Sequence, residues 1–205
     1  MDSNRVDTTV RPRGAAVTDS ILRSARQLID ENGLDALTAE AVAAHAGVGK
    51  TTVYRRWPNV WALVVDAFLQ DVSTLAPIRE RATVRESFRS AMCSLVKAYR
   101  GPTGQLLRAV IGRAQVDEIL REEVRNRWVE PRRNDARELV RRGIETGELR
   151  SDIDVDVLLD TLYGPIYHRL LVPYDNARMT EKFVDRVIHQ VFSGAERRDP
   201  ISPQP

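Results

Sequence analysis

Apolar residues recur three and four positions apart along most of this 205-residue chain. The pattern is strongest near the C-terminus, between Val155 and Val172 and again between Phe183 and Phe192. This spacing places side chains on one stripe of an α-helix, whereas the alternation of β-strands does not extend over any useful length. We therefore predict an all-α fold of about nine helices.

Composition and periodicity divide the chain into successive segments. Residues 1–17 carry arginines among small polar residues without apolar periodicity, which predicts a flexible basic arm. Residues 18–65 form a first helical domain, and a fourth helix at 59–76 links it to a second domain at 77–194. The polar, proline-containing residues 195–205 are predicted to be a disordered tail.

Helix ends in the first domain are set by capping residues. Thr18 is predicted to cap the first helix, and Thr38 caps a short second helix. A third helix starts at Gly49 or the next residue, and we expect it to stop after about two turns at Pro58. Asn59 is the predicted N-cap of the fourth helix.

Several classes of protein do not fit this composition. A single cysteine, Cys93, excludes an internal disulfide framework and a thiolate metal site. No apolar run approaches the roughly 18 residues of a membrane span, and the N-terminus lacks a secretory apolar region. The histidines at 45, 168 and 189 lack metal-ligand spacing, and no G-x-S-x-G elbow occurs. We predict a cytoplasmic protein with no membrane partner, catalytic site, metal or cofactor.

The string GVGKTT at residues 47–52 is open to two interpretations. A phosphate-binding loop requires G-x-x-x-x-G-K-[ST], in which glycines let backbone N–H groups converge on phosphates. The first glycine of that motif is replaced by Ala44, which follows an alanine-rich segment instead of a β-branched strand. A P-loop nucleotide hydrolase is therefore the less favoured alternative.

A helix-turn-helix explains the same residues with fewer exceptions. Gly47 supplies the tight turn, and the second helix lies in the major groove of DNA. Within the stretch from Ala41 to Val65 the only formal charges are Lys50, Arg55 and Arg56, a net +3 with no acid. Cations and hydroxyls on one short helix suit contacts to phosphates and bases.

The stretch from Leu37 to Leu63, LTAEAVAAHAGVGKTTVYRRWPNVWAL, resembles the DNA-binding domain of TetR-family transcriptional repressors. That family's pattern is roughly LT-x-x-x-[IV]-A-x-x-A-G-V-S-x-x-T-[LV]-Y-x-[HR]-F-x-S-K-x-x-L. Ile21 to Gly33 is similar to the first helix of the family. The pieces Gly147 to Arg150 and Leu162 to Tyr167 resemble one branch of its C-terminal domains.

The resemblance implies which residues contact double-stranded DNA. Thr38 and Tyr54 would contact phosphates, and Arg56 would add a phosphate contact. Gly49 stands where the family usually has Ser, which leaves backbone N–H groups near a phosphate without a hydroxyl cap. Val60 stands where the family commonly has a phosphate-binding Lys. The predicted DNA contacts are Thr38, Gly49, Lys50, Thr51, Thr52, Tyr54, Arg55 and Arg56.

The resemblance also implies a homodimer that binds a palindromic operator. The last two long helices would pair with their twofold mates, so that two recognition helices reach successive major grooves. The alternative is that their wide apolar stripes complete the core of a monomer. The residues predicted for the dimer interface are Leu159, Leu162, Tyr163, Ile166, Phe183, Val184, Val187, Ile188 and Val191.

A third implication is a pocket for a small apolar effector between residues 84 and 172. Pro131 and the pair Gly164-Pro165 are expected to kink their helices and open space. The chain would then be a repressor that an effector releases from its operator, with an activator on the same scaffold as the alternative. The residues predicted to line the pocket are Phe88, Met92, Leu107, Val110, Trp128, Leu162, Ile166 and Tyr167.

Overall fold

A computed structural model describes residues 13–75, 79–172 and 179–195 of the chain. These ranges contain helices and turns but no β-strand, which confirms the all-α prediction. The α7 helix, the π-helix and α8 follow one another without a break, so the described ranges hold nine helical rods. The elements are α1 Arg13–Asn32, α2 Ala39–His45, α3 Lys50–Tyr54, α4 Val60–Leu75, α5 Val84–Tyr99, α6 Pro102–Ala114, α7 Glu118–Glu123, a π-helix Val124–Val129, α8 Glu130–Glu145, α9 Val155–Leu171 and α10 Glu181–Ala195.

The chain forms two compact units, Met1–Ala67 and Phe68–Pro205. The division falls inside α4, whose first residues belong to the first unit and whose last residues belong to the second. Among the described helices, none combines the length and apolar character that a membrane crossing requires.

The first helix begins earlier than the sequence predicts. It starts at Arg13, and the Thr18 hydroxyl donates to the Gly14 carbonyl 3.0 Å away inside the helix. Thr18 is therefore not an N-cap, and residues 13–17 do not belong to an arm. The Ala15-Ala16 pair explains the difference, because alanine favours a helix even where no apolar stripe marks it. The remainder of the predicted arm, residues 1–12, lies outside the described residues.

Two of the predicted caps in the first unit are confirmed, while α3 is shorter than predicted. The Thr38 side chain accepts the Ala41 N–H at 3.1 Å, and the Asn59 side chain accepts the Ala62 N–H at 2.8 Å. The α3 helix ends at Tyr54 instead of continuing to Pro58. After it the chain tightens, because the Arg56 N–H donates to the carbonyl three residues back.

The core of the second unit forms where the apolar stripes of α5, α6, α9 and α10 meet. The Phe88 ring is fully buried and lies 6.3 Å from the ring centroids of both Tyr163 and Phe192. The last part of α4 joins this core through Phe68, whose ring meets Trp128 edge-on at 4.9 Å. Edge-to-face contacts of this kind add stability beyond the buried area.

The turn Gly147 to Arg150 forms hydrogen bonds with the start of α5 and with the end of α10. Both carboxylate oxygens of Glu148 accept the N–H of Val84, at 2.8 and 3.0 Å, and so cap the start of α5. Leu149 is buried, and the Arg150 guanidinium donates to the Gly194 carbonyl at 3.0 Å near the end of α10. One short turn therefore satisfies backbone groups that helix ends leave unpaired.

The last helix corrects the predicted start of the tail at residue 195. Thr180 is the N-cap of α10, since its hydroxyl accepts the Phe183 N–H at 3.2 Å. The helix continues to Ala195, and Arg150 donates to the carbonyls of Gly194 and Ala195 at its end. Ala195 is thus helical, and the rest of the predicted tail, residues 196–205, lies outside the described residues.

The two predicted kink sites differ in their local structure. The π-helix Val124–Val129 immediately precedes Pro131, whose missing N–H removes a regular helical hydrogen bond. By contrast, α9 continues through Pro165 as one helix.

Candidate nucleic-acid interface and ligand cavity

The turn between α2 and α3 is built on the left-handed backbone of Gly47, whose φ angle is 65°. Its N–H donates to the Ala44 carbonyl at 3.2 Å, and the Val48 N–H donates to the Ala43 carbonyl at 3.0 Å. This pair of bonds is a Schellman end to a helix, which favours glycine. Because Ala44 lies within α2, no strand feeds GVGKTT, and the phosphate-loop alternative is wrong in its fold.

A small apolar core fixes how α3 lies against α2. Ala43, Val53 and Trp57 are buried, while Val48 is half-buried. The Trp57 indole N–H donates to the Asp66 carboxylate at 2.8 Å, which ties the residues that follow α3 to α4. The polar side chains of α3 are consequently directed away from this core.

The residues predicted to contact DNA lie together on and around α3. Lys50, Thr51, Tyr54 and Arg55 are exposed, as are Thr38 and Gly49, whereas Thr52 and Arg56 are half-buried. The Arg56 side chain is held by hydrogen bonds within the first unit. Its guanidinium donates to the Thr18 hydroxyl at 3.1 Å and to the Thr52 carbonyl at 3.0 Å.

An acidic residue that the sequence analysis did not single out lies at the centre of this surface. Glu40, in the first turn of α2, forms an ion pair with Lys50 and accepts the Tyr54 hydroxyl at 3.3 Å. The hydrogen bond from Lys50 lowers the pKa of Glu40, and the same bond raises the pKa of Lys50. The expectation of three cations with no acid nearby is therefore wrong, because the turn brings α2 back beside α3.

The second unit contains a cavity of about 340 Å³. Its walls are mostly apolar, with polar groups contributed by Tyr163, Tyr167, Arg132 and Arg133. Arg133 is paired with Asp160 at 2.5 Å and with Asp156 at 2.8 Å. The lining residues are Leu95, Ile111, Val124, Trp128, Val129, Arg132, Arg133, Ala136, Leu159, Tyr163, Tyr167 and Leu171.

The phenols beside the cavity are kept neutral. Burial raises the pKa of Tyr163 and of Tyr167, and the positive charge of Arg132 opposes both shifts. Behind them, burial raises the pKa of Tyr99, whose hydroxyl is enclosed. A molecule in the cavity therefore meets two phenols and the guanidinium groups of Arg132 and Arg133 in an apolar setting.

Most of the residues predicted to line the pocket are instead part of the packed core. Trp128 and Tyr167 do line the cavity. For Val110 and Leu162 the next residue along the helix lines the cavity instead, because each step along a helix turns the side chain by about 100°. Val110 is buried beside the lining residue Ile111, for example. The predicted residues that do not line this cavity are Phe88, Met92, Leu107, Val110, Leu162 and Ile166, all buried in the core.

The residues predicted for the dimer interface also belong largely to the core of a single chain. A side chain already buried in one chain adds no area to an interface with another. Tyr163 and Val191 remain half-exposed. The predicted residues that are buried within the chain are Leu159, Leu162, Ile166, Phe183, Val184, Val187 and Ile188.

Comparison with known proteins matches both units. The model described as "Bacterial regulatory proteins, tetR family" matches residues 21–66, and "Tetracyclin repressor-like, C-terminal domain" matches residues 78–191. The chain belongs to the TetR family. Like other TetR-family proteins with this helix-turn-helix, it is a DNA-binding transcriptional regulator.

Individual relatives align with this chain over most of the length of both proteins. YdeS of Bacillus subtilis, an uncharacterised HTH-type transcriptional regulator, is 33% identical over 91% of this chain and 93% of its own. The DNA-binding transcriptional repressor TetR of Mycobacteroides abscessus is 26% identical over 88% and 94%. The crystal structure of the TetR-family regulator SCO0332 is 33% identical, covers 90% of this chain and 99% of its own, and gives a TM-score of 0.72.

Two kinds of substitution separate phosphate contacts from base contacts in this TetR-family regulator. Tyr54→Phe is expected to weaken binding to all duplexes by a similar factor and to leave the salt slope unchanged, because it removes an uncharged hydroxyl that is predicted to donate to a phosphate. Lys50→Ala or Thr52→Ala is expected to cost about 1–3 kcal/mol at particular base pairs. Fluorescence anisotropy on a selected duplex, its single-base variants and a random duplex measures both effects. Equal losses on selected and random duplexes for Lys50→Ala and Thr52→Ala would contradict the base-reading assignment.

Proposed function

We propose that this TetR-family regulator is a homodimeric repressor that leaves a palindromic operator when a small, largely apolar molecule occupies the cavity of its second unit. The observation that carries the proposal is the presence in one chain of an exposed reading helix and an apolar cavity. As a regulator of transcription and not an enzyme, it would act in the cytoplasm, where a bacterial operator lies.

The exposed polar residues on and beside α3, which we call the reading surface, support DNA recognition by this helix. Lys50 and Thr51 are exposed at the start of the helix, the part that faces base edges in helix-turn-helix proteins. Thr38 and Tyr54 are exposed beside them with hydroxyls that suit phosphate oxygens. Thr38 uses its oxygen as the α2 cap, which leaves its O–H available to donate.

A second copy of the chain would supply the second α3 helix for the other half of the operator. The exposed residues Val157, Thr161, Gly164 and His168 fall three and four positions apart on α9, so they form one stripe on that helix. Val157 is 59% exposed, and a Cβ added at Gly164 would meet no atom within 4 Å. We place the dimer contact on this stripe, where a glycine would let two helices approach closely. Two readers joined in this way reach successive major grooves roughly 34–36 Å apart.

Gly164→Arg tests the dimer. The larger side chain fits the single chain, because the position is open, but it would separate two α9 helices. The expected result is a shift from dimer to monomer in sedimentation equilibrium at micromolar concentration, with weaker operator binding. Gly112→Arg is the matched control, since Gly112 is an exposed helical glycine with the same open space. A wild-type monomer, or a Gly164→Arg protein that remains dimeric, would refute this interface.

The cavity supports an effector that is apolar along most of its length. Its volume of about 340 Å³ falls within the usual range for small-molecule sites, which is roughly 300–1,000 Å³. Tyr163, Tyr167 and Arg132 offer donors but few acceptors. An effector with a hydrogen-bond acceptor or an anionic group at one end would complement them.

Filling the cavity tests the ligand site. Val129→Trp places a large ring at a half-buried position of the wall, and 1-anilinonaphthalene-8-sulfonate serves as an apolar anionic probe. The variant is expected to bind the probe about tenfold more weakly or worse, which corresponds to a loss of about 1.4 kcal/mol. Val116→Trp is the control, because Val116 is 81% exposed and does not line this cavity. Probe fluorescence that is the same for Val129→Trp and wild type would exclude the cavity as the binding site.

Release from DNA follows if the effector prefers a conformer in which the two readers are wrongly spaced. The DNA affinity can then fall only by the difference between the effector's affinities for the two conformers. The α4 helix is the natural connection, because its residues belong to both units. A repressor is favoured because a relative that matches most of the chain is a DNA-binding repressor. An activator on the same scaffold would instead raise transcription from a promoter carrying the operator.

A further inference from the structure

Glu40 holds two of the side chains that the proposed function assigns to DNA. Its carboxylate pairs with the Lys50 ammonium and accepts the Tyr54 hydroxyl at 3.3 Å. All three side chains are at the surface, with Lys50 and Glu40 about half-exposed, at 55% and 50%. We refer to Glu40, Lys50 and Tyr54 as the Glu40 triad.

Stability of the fold does not account for the triad. An exposed ion pair contributes little, since solvent screens it and both side chains lose rotational freedom. None of its three polar groups is enclosed in the core. We therefore expect Glu40 to affect how Lys50 and Tyr54 bind DNA.

A lysine side chain is a flexible stem that carries a compact charge, so a free Lys50 could reach any nearby phosphate. Phosphates are the same in every sequence, and contacts to them raise binding to all DNA alike. In the structure the Lys50 ammonium is instead paired with Glu40, in the first turn of α2. The negative charge of Glu40 also opposes the approach of a phosphate in the wrong place.

We propose that Glu40 is a specificity-determining residue. Its interactions with Lys50 and Tyr54 compete with contacts to random DNA, and they break only where a duplex offers better-placed acceptors. The inference rests on the proposed function, in which Lys50 and Tyr54 contact DNA. It adds that an acidic residue on the reading surface lowers non-specific affinity more than specific affinity. The protein then distinguishes its operator from other DNA because non-specific binding must break the interactions of Glu40 without an equal gain.

Glu40→Gln tests this role in the full-length protein, because it removes the charge and keeps the shape. The two probes are the tightest duplex selected from a random pool and a scrambled duplex of equal length and composition. The variant is expected to bind the scrambled duplex about three- to tenfold more tightly, with a salt slope steeper by about one unit. Its affinity for the selected duplex stays the same or falls, so the ratio of the two affinities drops.

Glu31→Gln is the matched control for the loss of one negative charge from the same unit. Glu31 is exposed on α1 and accepts the Gln27 amide at 2.8 Å, without a bond to any predicted DNA contact. It is expected to leave the ratio of affinities unchanged. If Glu40→Gln raises both affinities by the same factor, general electrostatics explains the effect and the inference is overturned.

A double-mutant cycle links the effect to Lys50. In a Lys50→Ala background, Glu40→Gln is expected to lose its gain on the scrambled duplex, because no ammonium remains to be released. A gain that persists in that background would show that Glu40 acts independently of Lys50, and it would overturn the inference.

The same data separate this inference from the proposed function. If Lys50→Ala and Tyr54→Phe leave both duplexes bound as tightly as before, the assigned DNA contacts are wrong and both proposals fail. If those two variants weaken binding while Glu40→Gln changes neither affinity nor salt slope, the proposed function stands and only the role of Glu40 is refuted.

Discussion

The backbone at Gly47 is the constraint on which the reading surface depends. Its φ angle of 65° reverses the chain within two residues, so that α3 begins beside α2 instead of extending it. A side chain at this position would be strained, because L-residues rarely adopt positive φ. The turn directs Val53 into the core and leaves Lys50, Thr51 and Tyr54 on the surface. The charge distribution of the surface follows from it, since the same reversal brings Glu40 to Lys50.

Carboxylates that are remote in sequence from their partners recur in both units. Glu40 reaches across the turn to Lys50 and Tyr54, whereas Glu148 reaches 64 residues back to the N–H of Val84. The two have different consequences. Glu148 satisfies a backbone donor at a helix start, so its contribution is to the fold. Glu40 satisfies only groups that solvent could also satisfy, which leaves it available for a role in binding.

Local signals in the sequence were enough for most of the helices and for the turn. Thr38, Gly47 and Asn59 act through backbone groups within a few residues, and their predicted roles match the structure. The fourth helix, predicted at 59–76, spans Val60–Leu75 in the structure. The errors at α1 and α3 arose where periodicity was weak or where the pattern continued past the end of the helix. At α1 the helix propensity of Ala15 and Ala16 extends the helix, whereas after α3 the chain tightens into a turn.

The residues of the cavity and of the proposed dimer contact could not be predicted from the sequence in the same way. A stripe of apolar residues identifies the face that is buried, but a core contact and a cavity wall require the same residue types. Leu162 is fully buried, whereas its neighbour Tyr163 lines the cavity, and no local property distinguishes them. Glu40 was missed for a related reason, because it lies just outside the charged stretch and joins it only through the turn.

The central claim is that α3, set by the Gly47 turn, reads the major groove twice per dimer. Methylation interference on the selected duplex tests it directly, because guanine N7 lies in the major groove and adenine N3 in the minor groove. The account predicts that N7 methylation interferes at two groups of positions, centred roughly 10 base pairs apart on one face of the duplex. Interference confined to adenine N3, or to a single group of guanines, would contradict it.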